Sequence, residues 1–215
     1  MRRRNFLRGA IPLGFFALAP RVANAYTQCI PDNSGMEICE SGINLSRIAE
    51  ASSAQYLNQW CWAASIQMAF AHYGYKISQD RIVSETYGVI ANIPAITGYA
   101  ISKNLQRDWE DDSGDSFFVE IEGLYDFDAG ITGITDIDII NALDDERPLI
   151  MGTQSHAVLL VSIAYYKMPT GPMIGNIGVA DPWPGVGIRG PYSPLDFRPM
   201  HLGGNLRYLC LPRIS

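Results

Sequence analysis

From Cys61 to Tyr73 almost every position is apolar or small. Trp62, Ala63, Ala64, Ile66, Met68, Ala69 and Phe70 leave no continuous polar stripe, and Gly74 follows at a C-cap position. A helix that is hydrophobic nearly all round is stable only when other elements enclose it on most sides. The rest of the chain must therefore supply the layers that bury it. A chain of 215 residues suffices for one large domain, or for two small lobes around a shared cleft, and is too short for a long multidomain assembly. Hydrophobic residues make up 47% and charged residues 18%, the composition of a folded globule and not of a disordered or collagen-like chain.

Two more helices are predicted near the first. One spans Gln79 to Tyr87, opened by Ser78 and closed by Gly88, and one spans Gly98 to Arg107, opened by Thr97. Residues 26–50 read as irregular, with a helical turn near Leu45 to Ala51. Phe117 to Glu122 alternates like an exposed strand, and Thr135-Asp136-Ile137-Asp138 resembles a capping box that starts a short helix ending before Pro148. Leu149 to Thr153, Ala157 to Tyr166, Gly175 to Ala180 and Leu206 to Leu211 are β-rich runs separated by Gly, Pro and Asn. Helices first and antiparallel strands later is an α+β order, with a cleft expected where the two halves meet.

The N-terminus carries Arg2, Arg3, Arg4 and Arg8, then an apolar stretch from Ala10 to Pro20, then Ala23-Asn24-Ala25. This is the layout of a cleavable export signal over residues 1–25, and Arg3-Arg4-Asn5-Phe6-Leu7 resembles the twin-arginine type. The mature chain is expected to begin at Tyr26, to form a single domain over 26–215, and to reside in the periplasm or outside the cell. No later apolar run approaches the roughly 18 residues of a membrane span. The formal net charge is -6, but the five charged residues in positions 1–25 are all Arg, so residues 26–215 carry 11 Lys and Arg against 22 Asp and Glu, a net of -11. Such a field repels phosphate backbones and anionic lipid, which argues against nucleic acid or membrane partners and favours neutral or basic substrates.

Outside the cytoplasm cysteines tend to pair. Cys29 and Cys39 bracket Pro31-Asp32-Asn33-Ser34-Gly35, a strong turn signal, so a disulfide between these two is expected. Cys61 and Cys210 are left, and a Cys61–Cys210 disulfide is the alternative that would make the chain a non-enzymatic module. No metal or cofactor is expected, since no C-x-x-C or H-x-x-x-H spacing occurs. The acidic residues Glu110, Asp111, Asp112 and Asp115 read as a solvated loop, with a Ca²⁺ or basic-substrate site as the lesser alternative.

Cys61 falls in the first turn of the buried helix, where free amide N–H groups and the helix dipole stabilise a thiolate. A nucleophilic cysteine also needs an imidazole to pair with it and later to protonate the leaving group. His72 lies eleven residues along the same helix, too far at about 1.5 Å per residue, and His201 reads as a surface residue. His156, opening the strand from Ala157, is the best candidate. Asp181, twenty-five residues later at a strand end, could accept the second imidazole N–H, although Asp181-Pro182 also reads as a plain turn opener.

Gln55, then Cys61-Trp62, then His156 opening a strand, then Asp181 with Trp183 two residues on, resembles the papain-like cysteine peptidases in their order Gln, Cys, His, Asn/Asp. Closest in scale are short bacterial members such as staphopains and the cysteine-protease effectors of plant pathogens. The resemblance covers Gln55 to Asp181 but rests on three short islands, the strongest being Asn58 to Ala64. It implies a papain-like fold with a helical half carrying the catalytic helix and an antiparallel β half. It further implies that Gln55 and the Cys61 N–H form the oxyanion hole, with Gln59 as a competing candidate, and that Trp183 covers the His–Asp hydrogen bond. The chain departs from the family in its shorter Cys-to-His interval, in Asp for Asn, and in lacking a long inhibitory prodomain. The expected function is an exported cysteine peptidase acting through a thioester acyl-enzyme on peptide or protein substrates, as a monomer, with a protein inhibitor as a second candidate partner. Its rivals are a cell-wall peptidoglycan peptidase or amidase of the Cys-His type and an acyltransferase or transglutaminase-like enzyme.

Overall fold

The computed structural model describes residues 26–95 and 97–215, so the export signal expected over residues 1–25 lies outside the described residues. The fold is α+β, with six helices and an antiparallel sheet among the described residues. The sheet begins with a hairpin of β1 (Tyr26–Pro31) and β2 (Glu37–Gly42). Its centre is the long strand β7 (Ala157–Met168). One edge of β7 pairs first with β6 (Leu149–Gly152) and further along with β2, while its other edge pairs with β8 (Gly171–Asp181), which in turn pairs with β9 (Gly187–Tyr192). Beyond β6 follow β10 (Tyr208–Ile214) and β4 (Ser116–Asp126), with β3 (Asp108–Glu110) and β5 (Ile131–Gly133) both paired to β4.

The N-terminal hairpin corrects the reading of residues 26–50 as irregular. Its alternation is weak in sequence because β1 is almost wholly exposed, and β2 is held by its partner β7 more than by its own pattern. Cys29 and Cys39 face one another across the hairpin and form a disulfide. Gly42 ends β2 where the strands crowd, since a Cβ there would stand 2.9 Å from the Ser162 Cβ. With this hairpin inside the sheet, strands precede the helices as well as follow them.

The helices follow their local signals. In α1 (Leu45–Ala51) Asn44 caps the Ser46 N–H, and in α3 (Gln79–Tyr87) Ser78 caps Arg81 while Gly88 ends the helix at φ +74°. Thr135 and Asp138 close a reciprocal capping box at the start of α5 (Asp136–Asp144). Helix α4 (Gly98–Leu105) stops two residues short of the expected Arg107, and α6 (Pro194–Phe197) is a single turn. Phe117 to Glu122 is the first part of the longer β4, whose Phe117, Val119 and Tyr125 are buried, so it is not the exposed strand expected.

Helix α2 (Cys61–His72) is enclosed as its composition demands. Trp62, Ala63, Ala64, Ile66, Met68, Ala69 and Phe70 are all buried, and the helix packs against β6 and β7 as well as α1 and α3. Phe70 meets Trp109 and Phe117 with ring centroids 5.2 and 5.1 Å away, tying α2 to β3 and β4. Helix α2 packs on β7, and its first residues, Cys61 and Trp62, line a cleft. No described helix is long and apolar enough to cross a membrane.

Candidate active site

Cys61 is the first residue of α2 and is partly exposed in a cleft of about 430 Å³. The N-cap residue is Trp60, whose side chain makes no capping hydrogen bond, so the first-turn amides keep their donor capacity for a group lying at the cleft floor. The two indoles flanking Cys61 are anchors. Trp60 Nε1 donates to Ala91 O at 2.9 Å and Trp62 Nε1 to Ile93 O at 3.1 Å. Asn92 completes the attachment by accepting the Gln59 N–H at 3.1 Å and donating to Asn58 Oδ1 at 2.6 Å. The loop after α3 is thereby fastened to the cysteine-bearing helix and forms one wall of the cleft through Pro94 and Ala95.

The opposite wall carries His156. It stands at the end of the turn joining β6 to β7, a turn closed by the Thr153 N–H donating to His156 O at 2.8 Å. The register of β7 with β8 pairs Leu159 with Ala180, which brings the end of β8 beside the start of β7 and so brings Asp181 to His156. His156 Nε2 donates to Asp181 Oδ1 at 2.6 Å, and the imidazole lines the same cleft as Cys61, whose side chain helps to raise its pKa. Asp181 Oδ1 accepts the Trp183 N–H at 2.9 Å as well. Asp181 at the end of β8 thus meets His156 of the β6–β7 turn, which lines the cleft together with Cys61 of α2.

The electrostatics of the site follow from these contacts. Burial alone pulls the His156 imidazolium toward deprotonation, but its interactions with Asp181 and Cys61 outweigh it and push its pKa up to about 9. Burial likewise opposes ionisation of Asp181, and the His156 bond, the Trp183 amide and the nearby Arg189 overcome it, holding the carboxyl below its usual range. The site is therefore organised around an imidazolium at neutral pH.

The remaining residues singled out by sequence fall in different places. Trp183 lies beside His156, its ring 6.3 Å away and nearly perpendicular, but at 52% exposure it leaves much of the indole in solvent. Gln55 is buried behind the site. Its N–H donates to Pro182 O at 2.8 Å, its Nε2 donates to Leu57 O at 3.0 Å, and its Oε1 has no hydrogen-bond partner among the described residues. Gln59, the competing candidate, lines the cleft. His72 is buried at the far end of α2 with Nε2 against Glu146 O at 2.7 Å, and exposed His201 bonds the Tyr125 hydroxyl at 3.1 Å. Cys61 and Cys210 are both free thiols, so the alternative disulfide between them does not form. Asp111 accepts backbone N–H groups of Lys76, Ser113 and Asp115 and thereby shapes its own acidic loop. No described group of His, Cys, Asp and Glu has a metal-binding arrangement.

Three residues near the site carry no sequence signal that singled them out. Arg189, on β9, places Nε 3.5 Å from Asp181 Oδ2. Asp128 and Arg207 form a two-point ion pair on the cleft wall at 2.6 and 3.1 Å. Compared with known proteins, the chain matches no family model and no curated protein.

Proposed function

We propose that the chain is an exported thiol hydrolase of the papain-like kind, cleaving peptide amide bonds through Cys61, His156 and Asp181. The observation that carries this reading is that His156, bonded to Asp181 at 2.6 Å, lines one cleft with Cys61 at the uncapped start of α2. The imidazolium keeps the cysteine sulfur paired with a positive charge, and the sulfur attacks the amide carbonyl carbon of a substrate held in the cleft. Negative charge then develops on the carbonyl oxygen. The Cys61 N–H at the start of α2 supplies one donor, and the second comes from the amide of Gln59, which lines the cleft, or from that of Gln55 once released from Leu57 O, each such donor contributing roughly 10²–10³ in rate. His156 gives its proton to the departing amine as the C–N bond breaks, leaving a thioester on Cys61. The now neutral imidazole takes a proton from water, whose oxygen attacks the thioester and releases the acid. Asp181 holds the imidazole by Nε2 throughout, and the Trp183 N–H holds Asp181 in turn.

A cleft lined by Trp62, Ile101, Ile150 and Tyr208 beside polar Thr153 and Gln154 suits a mixed peptide better than a polyanion. The disulfide on the outer hairpin supports action outside the cytoplasm. The decisive experiment incubates the purified protein and its Cys61→Ala variant with an unbiased peptide library and with purified peptidoglycan, and reads the products by mass spectrometry. Peptide cleavage lost in the variant supports the proposal. Cleavage of peptidoglycan stems alone would move the substrate to the cell wall, and amine-transfer products would make the chain an acyltransferase.

A further inference from the structure

We infer that Arg189 is a positioning residue of this site that acts through Asp181, its guanidinium beside the Oδ2 oxygen offsetting part of the carboxylate charge that the imidazole would otherwise feel in full. The inference rests on the hydrolase reading for its kinetic consequence but not for its physical test.

The geometry is specific. Strand β9 pairs with β8 so that Gly187 lies opposite Asp181 and Arg189 opposite Val179. The position directly across from Asp181 presents no side chain, and Arg189 reaches it on the diagonal, its Nε 3.5 Å from Oδ2. The guanidinium lies over the Tyr192 ring at 4.6 Å, which limits its freedom to swing away. The Asp181 carboxylate is only 3% exposed, whereas Arg189 is 49% exposed. A half-exposed ion pair adds little to stability, so the contribution of Arg189 lies in the positive charge it sets beside the buried oxygen. The charged and titratable groups facing this point are Cys61 from α2, His156 at the head of β7, Arg189 and Tyr192 from β9, and Asp196 of α6, which acts on Tyr192. Arg189 is the guanidinium cation of this set.

Removing Arg189 leaves the full negative charge of Asp181 to His156, so the imidazole should hold its proton to higher pH. The test is an NMR titration of histidine-labelled protein, in which His156 is assigned by its disappearance in His156→Gln. In Arg189→Gln the His156 midpoint should rise by about half a unit to one unit, the lower end of what one nearby charge does. Arg189→Lys should return it close to the wild-type value. In Asp181→Asn the midpoint should fall, and adding Arg189→Gln to that background should no longer raise it. Should Arg189→Gln fold poorly, Arg189→Met keeps the apolar stem on Tyr192 and serves the same measurement. An unmoved or lowered midpoint in the Arg189 variants, or an equal rise with and without the Asp181 carboxylate, overturns the inference. The alkaline limb of kcat/KM on a peptide amide should move with the NMR midpoint. A midpoint that shifts as expected in a protein that hydrolyses nothing would sink the hydrolase reading while leaving the role of Arg189 intact.

Discussion

Selective alkylation of the two free cysteines tests the site at its nucleophile. Cys210 is wholly buried on β10 among apolar neighbours, and burial pushes its thiol up to about 12. Only the thiolate reacts, so a thiol titrating there is ionised to roughly one part in a million at pH 6, against roughly three parts in a thousand for a free thiol near 8.5. A cysteine no more reactive than a free thiol would already outpace Cys210 by about 10³ on ionisation alone. Cys61 is partly exposed at a helix N-terminus and shares its cleft with an imidazole whose pKa is pushed up to about 9. Native protein treated with iodoacetamide at pH 6 should take up one equivalent, mapped by peptide mass to Cys61, and hydrolytic activity should vanish in step. His156→Ala should slow the labelling about tenfold or more, because the stabilising cation is gone. In denaturant both thiols should label at similar rates. Comparable labelling of Cys61 and Cys210 in the native protein, or labelling of Cys61 indifferent to His156, would refute the arrangement described here.

Asp181→Asn keeps an acceptor for the His156 N–H and should retain far more activity than Asp181→Ala, which should lower kcat/KM by a further tenfold or more; equal activity in the two would make Asp181 a turn residue only. Replacing Cys29 and Cys39 together by Ser opens a loop closed over a separation of 10 residues, and urea denaturation should register a loss of about 2–3 kcal/mol that reductant reproduces in the wild type. Gly98→Ala would drive a Cβ to 1.8 Å from the Tyr208 ring at the cleft wall, so the melting temperature should fall in line with about 1–3 kcal/mol of overpacking, and no fall would place Tyr208 elsewhere. Burial holds the His72 imidazole below its ordinary range, so the folded protein resists its protonation and stability should decline as pH drops below about 6.5; in His72→Gln that part of the acid slope should be absent from Tm-against-pH curves.

Local signals were legible from the chain alone wherever neighbouring residues decide the outcome. Ser78 and Gly88 delimit α3, Thr135 and Asp138 cap α5, and the turn at Pro31 to Gly35 sets Cys29 against Cys39, because caps and turns are built from residues a few positions apart. The uniformly apolar α2 likewise announced its own burial. The choice of Cys61, His156 and Asp181 was legible for a chemical reason, since a helix-terminal thiol, one of few imidazoles and a carboxylate each sit at the end of a regular element. Their meeting was decided by tertiary structure, as it depends on the seat of α2 on β7 and on the β7–β8 register that carries Asp181 across twenty-five residues of chain. So were the N-terminal hairpin, whose β2 has little alternation of its own and needs the edge of β7, and the anchoring of the Ala91–Ile93 wall by Trp60 and Trp62. Gln55 turns its amide to Leu57 O because its backbone is tied to Pro182, a contact 127 positions away that no local pattern encodes. Arg189 belongs to the same class, for a charge on an edge strand gains its meaning only when sheet pairing lays it diagonally across from a buried carboxylate.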